Sequence, residues 1–119
     1  MLLAGKRILI VEDEPLIAID LESAVRDQHG TVIGPARNIS EAQRIAESEI
    51  FDGAILDLRL KDDLALPVAE CLRRRGIAFV IHSGQADITI PRAWPDVPII
   101  GKPALPEQVV AILAALLIR

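Results

Sequence analysis

Apolar residues run along this chain in short blocks that alternate between two periods. RILIVE (7–12) is nearly unbroken, as in a strand of a parallel sheet covered on both faces. Apolar positions then recur at helical spacing through Leu16, Ile17, Ile19, Leu21, Ala24 and Val25. Asp13 or Glu14 would cap that helix, Pro15 suits its first turn, and Gly30 stands at the expected C′ position. TVIGPA (31–36) reads as a second strand, and Ser40 with Gln43 makes a capping-box pattern for a helix reaching about residue 49. A third strand is expected over 53–57, a helix over 67–75 and a fourth strand, IAFVIHS, over 77–83. In GQADITIPRAWPDVP (84–98), Pro91, Pro95 and Pro98 leave room for only a short or distorted fourth helix. VPII (97–100) gives a brief fifth strand and PEQVVAILAALLIR (106–119) the last helix. Five strand–helix units with right-handed crossovers predict an α/β domain, a doubly wound parallel sheet over 1–119.

Composition narrows the class. A chain of 119 residues holds one domain with a real core. Its aromatics are Phe51, Phe79 and Trp94 alone, so aliphatic side chains must build that core. The net charge of −4 comes without a basic stripe, which argues against a nucleic-acid partner. The single cysteine, Cys71, can form no internal disulfide, fits a reducing cytoplasm, and lies in an apolar helix stripe that predicts burial. MLLAGKR puts its charges after a short apolar run, the reverse of a signal peptide, and VVAILAALLI is too short to cross a bilayer. The expectation is a soluble, cytoplasmic, single-domain protein.

Chemistry gathers where strands end. In open parallel sheets, functional groups collect beyond the carboxyl ends of the strands. The first strand ends in Glu12-Asp13, the third in Asp57 and the fourth in Ser83, and Lys102-Pro103 follows the fifth. With the first and third strands adjacent, three carboxylates share one pocket and raise one another's pKa. A hard divalent cation and an ammonium group relieve that repulsion. Mg²⁺, which takes few carboxylates and keeps waters, suits the acids, and Lys102 supplies the ammonium. A carboxylate, a metal, a lysine and a hydroxyl suit phosphoryl transfer. Asp57 would attack phosphorus, Mg²⁺ and Lys102 would neutralise the equatorial oxygens, and Ser83 would bind one of them afterwards.

Four motifs in this order, ILIVEDE (8–14), AILDLRL (54–60), VIHSG (80–84) and IIGKP (99–103), resemble the receiver domain of two-component response regulators along essentially the whole chain. The resemblance implies a flavodoxin-like (β/α)5 fold with strand order 2-1-3-4-5. It makes Asp57 the phospho-acceptor, Glu12 and Asp13 the metal pair, Ser83 the switch hydroxyl and Lys102 the phosphate-contacting lysine, followed by Pro103, often cis. The metal also takes the backbone carbonyl two residues past the acceptor, here Arg59. The donor would be a histidine kinase or a histidine phosphotransfer protein. The family's Met-Pro-x-x-x-Gly after the acceptor is absent, and LRLKDDLALPVAE stands there. The aromatic switch residue expected before the lysine is Ile99. GIAFVIHSGQA and LPVAECL look like a single-domain subgroup with a Phe-Ala-Thr-Gly-like fourth strand, often linked to HWE histidine kinases.

Simpler readings stand beside these. Glu12, Asp13 and Asp57 could be helix caps and a solvated strand-end acid, which leaves their convergence with Lys102 unexplained. His82 should point to the side of its strand opposite Ser83, as a packed histidine, and His29 suits a helix end. Arg73, Arg74 and Arg75 read as a solvated helix terminus. Arg59 is expected beside the phosphoryl group, where it would tune hydrolysis. On the last helix, Val109, Ile112, Leu113 and Leu116 should bury, with Val110 and Leu117 on the flank. Ala111, Ala114, Ala115 and Ile118 should form an apolar outer face, an interface with a second copy, a kinase or a phosphotransfer protein. The chain ends with that helix, so a stand-alone receiver without an output domain is expected. It would be a phospho-acceptor and not an enzyme with turnover. The alternatives are a pseudo-receiver that binds partners without phosphorylation and a phosphatase with an aspartyl-phosphate intermediate.

Overall fold

The structure, a computed structural model, describes residues 1–61, 63–84 and 94–118. The expected fourth helix falls on 85–93, outside the described residues. The first three units run β1 (Arg7–Val11), α1 (Pro15–Asp27), β2 (Thr31–Ala36), α2 (Ile39–Ser48) and β3 (Gly53–Leu56). After two short strands, β4 (Arg59–Leu60) and β5 (Asp63–Leu64), come α3 (Leu66–Arg74), β6 (Ala78–Ser83), β7 (Ile99–Gly101) and α4 (Pro106–Leu117). Strands β2-β1-β3-β6-β7 form one sheet in that order, with every pairing parallel. Setting the small β4–β5 ladder aside, this is the doubly wound 2-1-3-4-5 order expected of a flavodoxin-like receiver.

The apolar strands are explained by two cores. Alternate side chains of a strand point to opposite faces. Leu9, Val11, Ala54, Leu56, Phe79 and Ile81 pack with α2 and α3, while Ile8, Ile10, Ile55 and Val80 pack with α1 and α4. Each buried aliphatic side chain contributes about 1.5–3 kcal/mol, so both faces must be apolar and no period-two alternation remains to be read. Cys71 is buried as expected. Among the described residues no helix is long and apolar enough to cross a membrane.

Four local expectations are corrected. The N-cap of α2 is Asn38, which accepts from the Glu41 amide at 2.8 Å, and Glu41 returns a bond to the Arg37 amide at 3.2 Å. The box therefore closes two residues before the Ser40–Gln43 pair. After α1, the left-handed residue is His29 (φ 66°), not Gly30. Gly30 is required instead by close packing, since a Cβ there would stand 2.8 Å from Val25 Cγ1. The Arg73–Arg75 run is only partly solvated. Arg73 pairs with Asp96 at 3.0 Å and lies over the Trp94 ring, while Arg75 donates to the Ala46 carbonyl and covers Phe51.

The last correction concerns α4. Val109, Val110, Leu113 and Ala114 are its buried residues, and Ile112 is exposed. At 100° per residue, Val110, Ala114 and Leu117 form a row beside Val109, Leu113 and Leu116, and both rows lie on the sheet. Ala114 thus leaves the expected outer face, and Ile112 joins Ala111, Ala115 and Ile118 on it. An apolar helix carries no polar stripe to set its rotation, so packing decides it.

Candidate phosphoryl-transfer site

The carboxyl ends of β1 and β3 are drawn together by the sheet itself. The pairing of β1 with β2 slips by one residue between Leu9 and Val11, where Gly34 (φ 95°) precedes Pro35. The slip lets the Ala36 carbonyl accept from the Glu12 amide at 3.0 Å. On the other side, the Asp57 amide donates to the Val11 carbonyl at 2.9 Å. Glu12 and Asp57 are therefore fixed just past neighbouring strands, at 1% and 5% exposure.

A buried carboxylate is costly unless paired and hydrogen-bonded. Each acid here has one oxygen held by a backbone amide. The Glu14 amide donates to Glu12 Oε2 at 3.2 Å, the Arg59 amide to Asp57 Oδ1 at 3.0 Å, and the Lys61 amide to Asp13 Oδ2 at 2.9 Å. Two of these donors, the amides of Arg59 and Lys61, stand at the second and fourth residues past Asp57, in the β4–β5 hairpin. Lys61 adopts φ 57° to make its contact. Leu58 and Leu60 are buried beneath the hairpin and anchor it.

Lys102 completes the charge balance. Its Nζ donates to Asp57 Oδ2 at 2.8 Å and stands 2.9 Å from Glu12 Oε1. The lysine is aimed by β6 and β7, since its amide donates to the Ser83 carbonyl at 2.9 Å. Its peptide bond to Pro103 is cis. Burial pulls the Lys102 pKa down, but the bonds to Asp57 and Glu12 outweigh it, so the ammonium is held above its ordinary range. Burial pushes the Glu12 carboxyl up to about 7, against the opposing pull of Lys102 and the Glu14 amide.

One ammonium cannot neutralise three carboxylates. Glu12, Asp13 and Asp57 each offer an oxygen, and these lie within 4.8 Å of one another. A hard, all-oxygen donor set of this size, partly open through Asp13, fits a divalent cation such as Mg²⁺. Ser83 is buried at the end of β6. The Arg59 side chain is exposed, as is Ile99 on β7. His82 is buried on the α1 and α4 side with Val80, and burial, then the Lys102 charge, lower its pKa.

The structure thus brings Glu12, Asp13, Asp57 and Lys102 into one constellation. It sets Ser83 at the neighbouring strand end, and it keeps Ala111, Ala114, Ala115 and Ile118 away on α4. Missed by sequence reasoning were the amide donors of Arg59 and Lys61, which no side-chain pattern announces.

No protein-family model matches the chain. The chain is 52% identical over 56 residues to the phyllosphere-induced regulator PhyR of Methylorubrum extorquens, a match covering 46% of this chain and 21% of that protein. The chain therefore spans only a part of that relative. The solution structure of SdrG from Sphingomonas melonis Fr1 superposes with a TM-score of 0.80 at 36% identity, covering 100% of this chain and 99% of that one. The BeF3-activated conformation of SdrG, from Pseudomonas melonis Fr1, gives 0.74 at 39% identity, covering 96% and 98%. A response regulator receiver protein from Sinorhizobium medicae gives 0.80 at 26% identity, covering 94% of each chain.

Proposed function

The chain belongs to the response regulator receiver family, and on that premise we propose that it accepts a phosphoryl group on Asp57 in a two-component phosphorelay. The observation that carries the proposal is the Lys102 ammonium held at 2.8 Å on Asp57 Oδ2, within a convergent trio of acids. A structural salt bridge needs one carboxylate, and the other two acids have no structural task that a neutral residue could not perform.

The donor is a phosphohistidine of a histidine kinase or a phosphotransfer protein. An Asp57 carboxylate oxygen attacks phosphorus, a P–O bond forms, the P–N bond breaks, and the imidazole leaves with the electron pair and takes up a proton. The product is an acyl phosphate. Glu12, Asp13, Asp57 and the Arg59 carbonyl would hold Mg²⁺, which supplies positive charge for the phosphoryl oxygens when bound. Lys102 moves from the carboxylates to a phosphoryl oxygen, and Ser83 donates its hydroxyl to another. The Arg59 amide keeps Asp57 oriented throughout. The change in charge is passed to a partner-binding surface, with Ile99 in place of the family's aromatic residue. SdrG, the 39%-identical relative, has a BeF3-activated conformation, which supports a phosphate-driven switch here. The likeness of GIAFVIHSGQA and LPVAECL to the subgroup linked to HWE histidine kinases favours a donor of that class, and the single cysteine, Cys71, favours the cytoplasm.

Arg59, exposed next to the acceptor, sets how long the phosphate lasts; equal dephosphorylation rates for wild type and Arg59→Ala would remove that role. The proposal as a whole is tested by adding BeF3⁻ with Mg²⁺ to the labelled protein. Amide shifts of Asp57, Ser83 and Lys102 that need both reagents support it, and an unchanged spectrum contradicts it.

A further inference from the structure

A second cleft opens on the opposite side of β6 from α3, between the first half of α1 and the segment joining β7 to α4. Its volume is about 480 Å³, in the range of small-molecule sites. The walls are Ile17 and Leu21 from α1 and Pro103, Ala104 and Pro106 from the joining segment. Lys102 also borders it, but its ammonium is committed to Glu12 and Asp57. Of the polar side chains that line this half-open cleft, Glu14, Asp20, His82 and Lys102, only His82 is buried, at 4% exposure.

Neither ring nitrogen of His82 has a hydrogen-bond partner among the described residues. Buried polar groups are nearly always satisfied, so an unsatisfied imidazole facing a cavity points to something outside the chain. Burial and the Lys102 charge keep the ring neutral, and a neutral imidazole offers one donor and one acceptor. At the rim stand two exposed acids, Glu14 and Asp20. The cleft is thus apolar in its walls, hydrogen-bonding at one point and negative at its mouth. It is not a metal site, because the only convergent trio of metal-ligating side chains among the described residues is Glu12, Asp13 and Asp57.

We propose that this cleft binds a small heteroaromatic amine. The flat ring lies between Ile17, Leu21 and the prolines, a ring N–H donates to His82, and the ammonium group sits between Glu14 and Asp20. Each of the three cleft properties selects one part of that ligand. The test of this inference needs neither Mg²⁺ nor a phosphoryl donor.

The test titrates tryptamine into isotopically labelled protein while the His82 ring nitrogens and the Ile17, Leu21 and Ala104 amides are followed. Phenethylamine, which lacks the ring N–H, and indole-3-acetate, which reverses the charge, serve as comparators. Saturable shifts confined to the cleft are expected, with each comparator weaker by about tenfold. His82→Phe should erase the preference for tryptamine over phenethylamine. Asp20→Asn, a surface change that keeps the test alive should the histidine variant misfold, should narrow the preference over indole-3-acetate. Equal affinity for all three probes, shifts scattered over the surface, or no saturable shift at the cleft overturns the proposal.

Discussion

Lys102 Nζ stands 2.9 Å from Glu12 Oε1 while it donates to Asp57, so a single ammonium spans two carboxylates on neighbouring strands. Removing it leaves both acids buried against each other. Lys102→Met should lower stability at neutral pH by about 3 kcal/mol, the usual cost of uncovering a buried charge. Mg²⁺ should restore part of the loss, because a cation on the acids replaces the missing charge. Urea unfolding with and without Mg²⁺ measures both effects, and equal stabilities of variant and wild type contradict the bridging role.

Glu12 makes the metal-free protein pH-sensitive in a definite direction. Its carboxyl titrates near 7 in the folded chain, against an ordinary value of 4.5. The folded state therefore keeps a proton that the unfolded state gives up, and this contribution to stability is full below 4.5 and lost as pH rises through about 7. Mg²⁺ must expel that proton, so its affinity should rise with pH and level off above about 7. Calorimetry across this window should show proton release, and Glu12→Gln should flatten both dependences.

Lys61 gives a conformational test of the hairpin. Its φ of 57° suits glycine and penalises a β-branched side chain by roughly 1–2 kcal/mol. Lys61→Gly should leave stability and Mg²⁺ affinity near wild type, while Lys61→Val should weaken both by displacing the amide from Asp13. Equal Mg²⁺ affinities for the two variants would show that the hairpin does not position Asp13.

The faces of α4 separate by charge insertion. Ala114→Glu places a carboxylate in the core and should cost about 3 kcal/mol or more, whereas Ile118→Glu, at 69% exposure, should change stability by less than about 0.5 kcal/mol. If Ile112, Ala115 and Ile118 form an interface, Ile118→Glu should reduce self-association or partner binding in sedimentation. A folded, stable Ala114→Glu protein would overturn the rotation assigned to the helix.

These cases also mark what the sequence made legible. Glu12, Asp13, Asp57 and Lys102 could be placed together because strand-end position is set by apolar runs and right-handed crossovers, both readable along the chain. The cap of α2 could not be placed, because Asn38–Glu41 and Ser40–Gln43 are equally good local patterns and only the seating of Ile45 and Ala46 on the sheet chooses between them. The β4–β5 hairpin was hidden by size, as two-residue strands have no period to detect. Ala114 and Ile112 exchanged places because α4 is apolar all round. The Glu12–Lys102 contact was unreadable for a different reason, since it depends on where two side-chain tips meet from β1 and β7, with β3 and β6 between them.

Covalent phosphate on Asp57 tests the central claim most directly. The protein should be incubated with Mg²⁺ and acetyl phosphate or phosphoramidate, and the product mapped by mass spectrometry. One phosphoryl group is expected on Asp57, stable in acid and labile in base, dependent on Mg²⁺, absent from Asp57→Asn and much reduced in Lys102→Met. No labelling of the folded, Mg²⁺-loaded protein would contradict the account and leave a binding module that works without phosphate. Rapid turnover of small phosphate esters without a lasting adduct would contradict it in favour of a phosphatase.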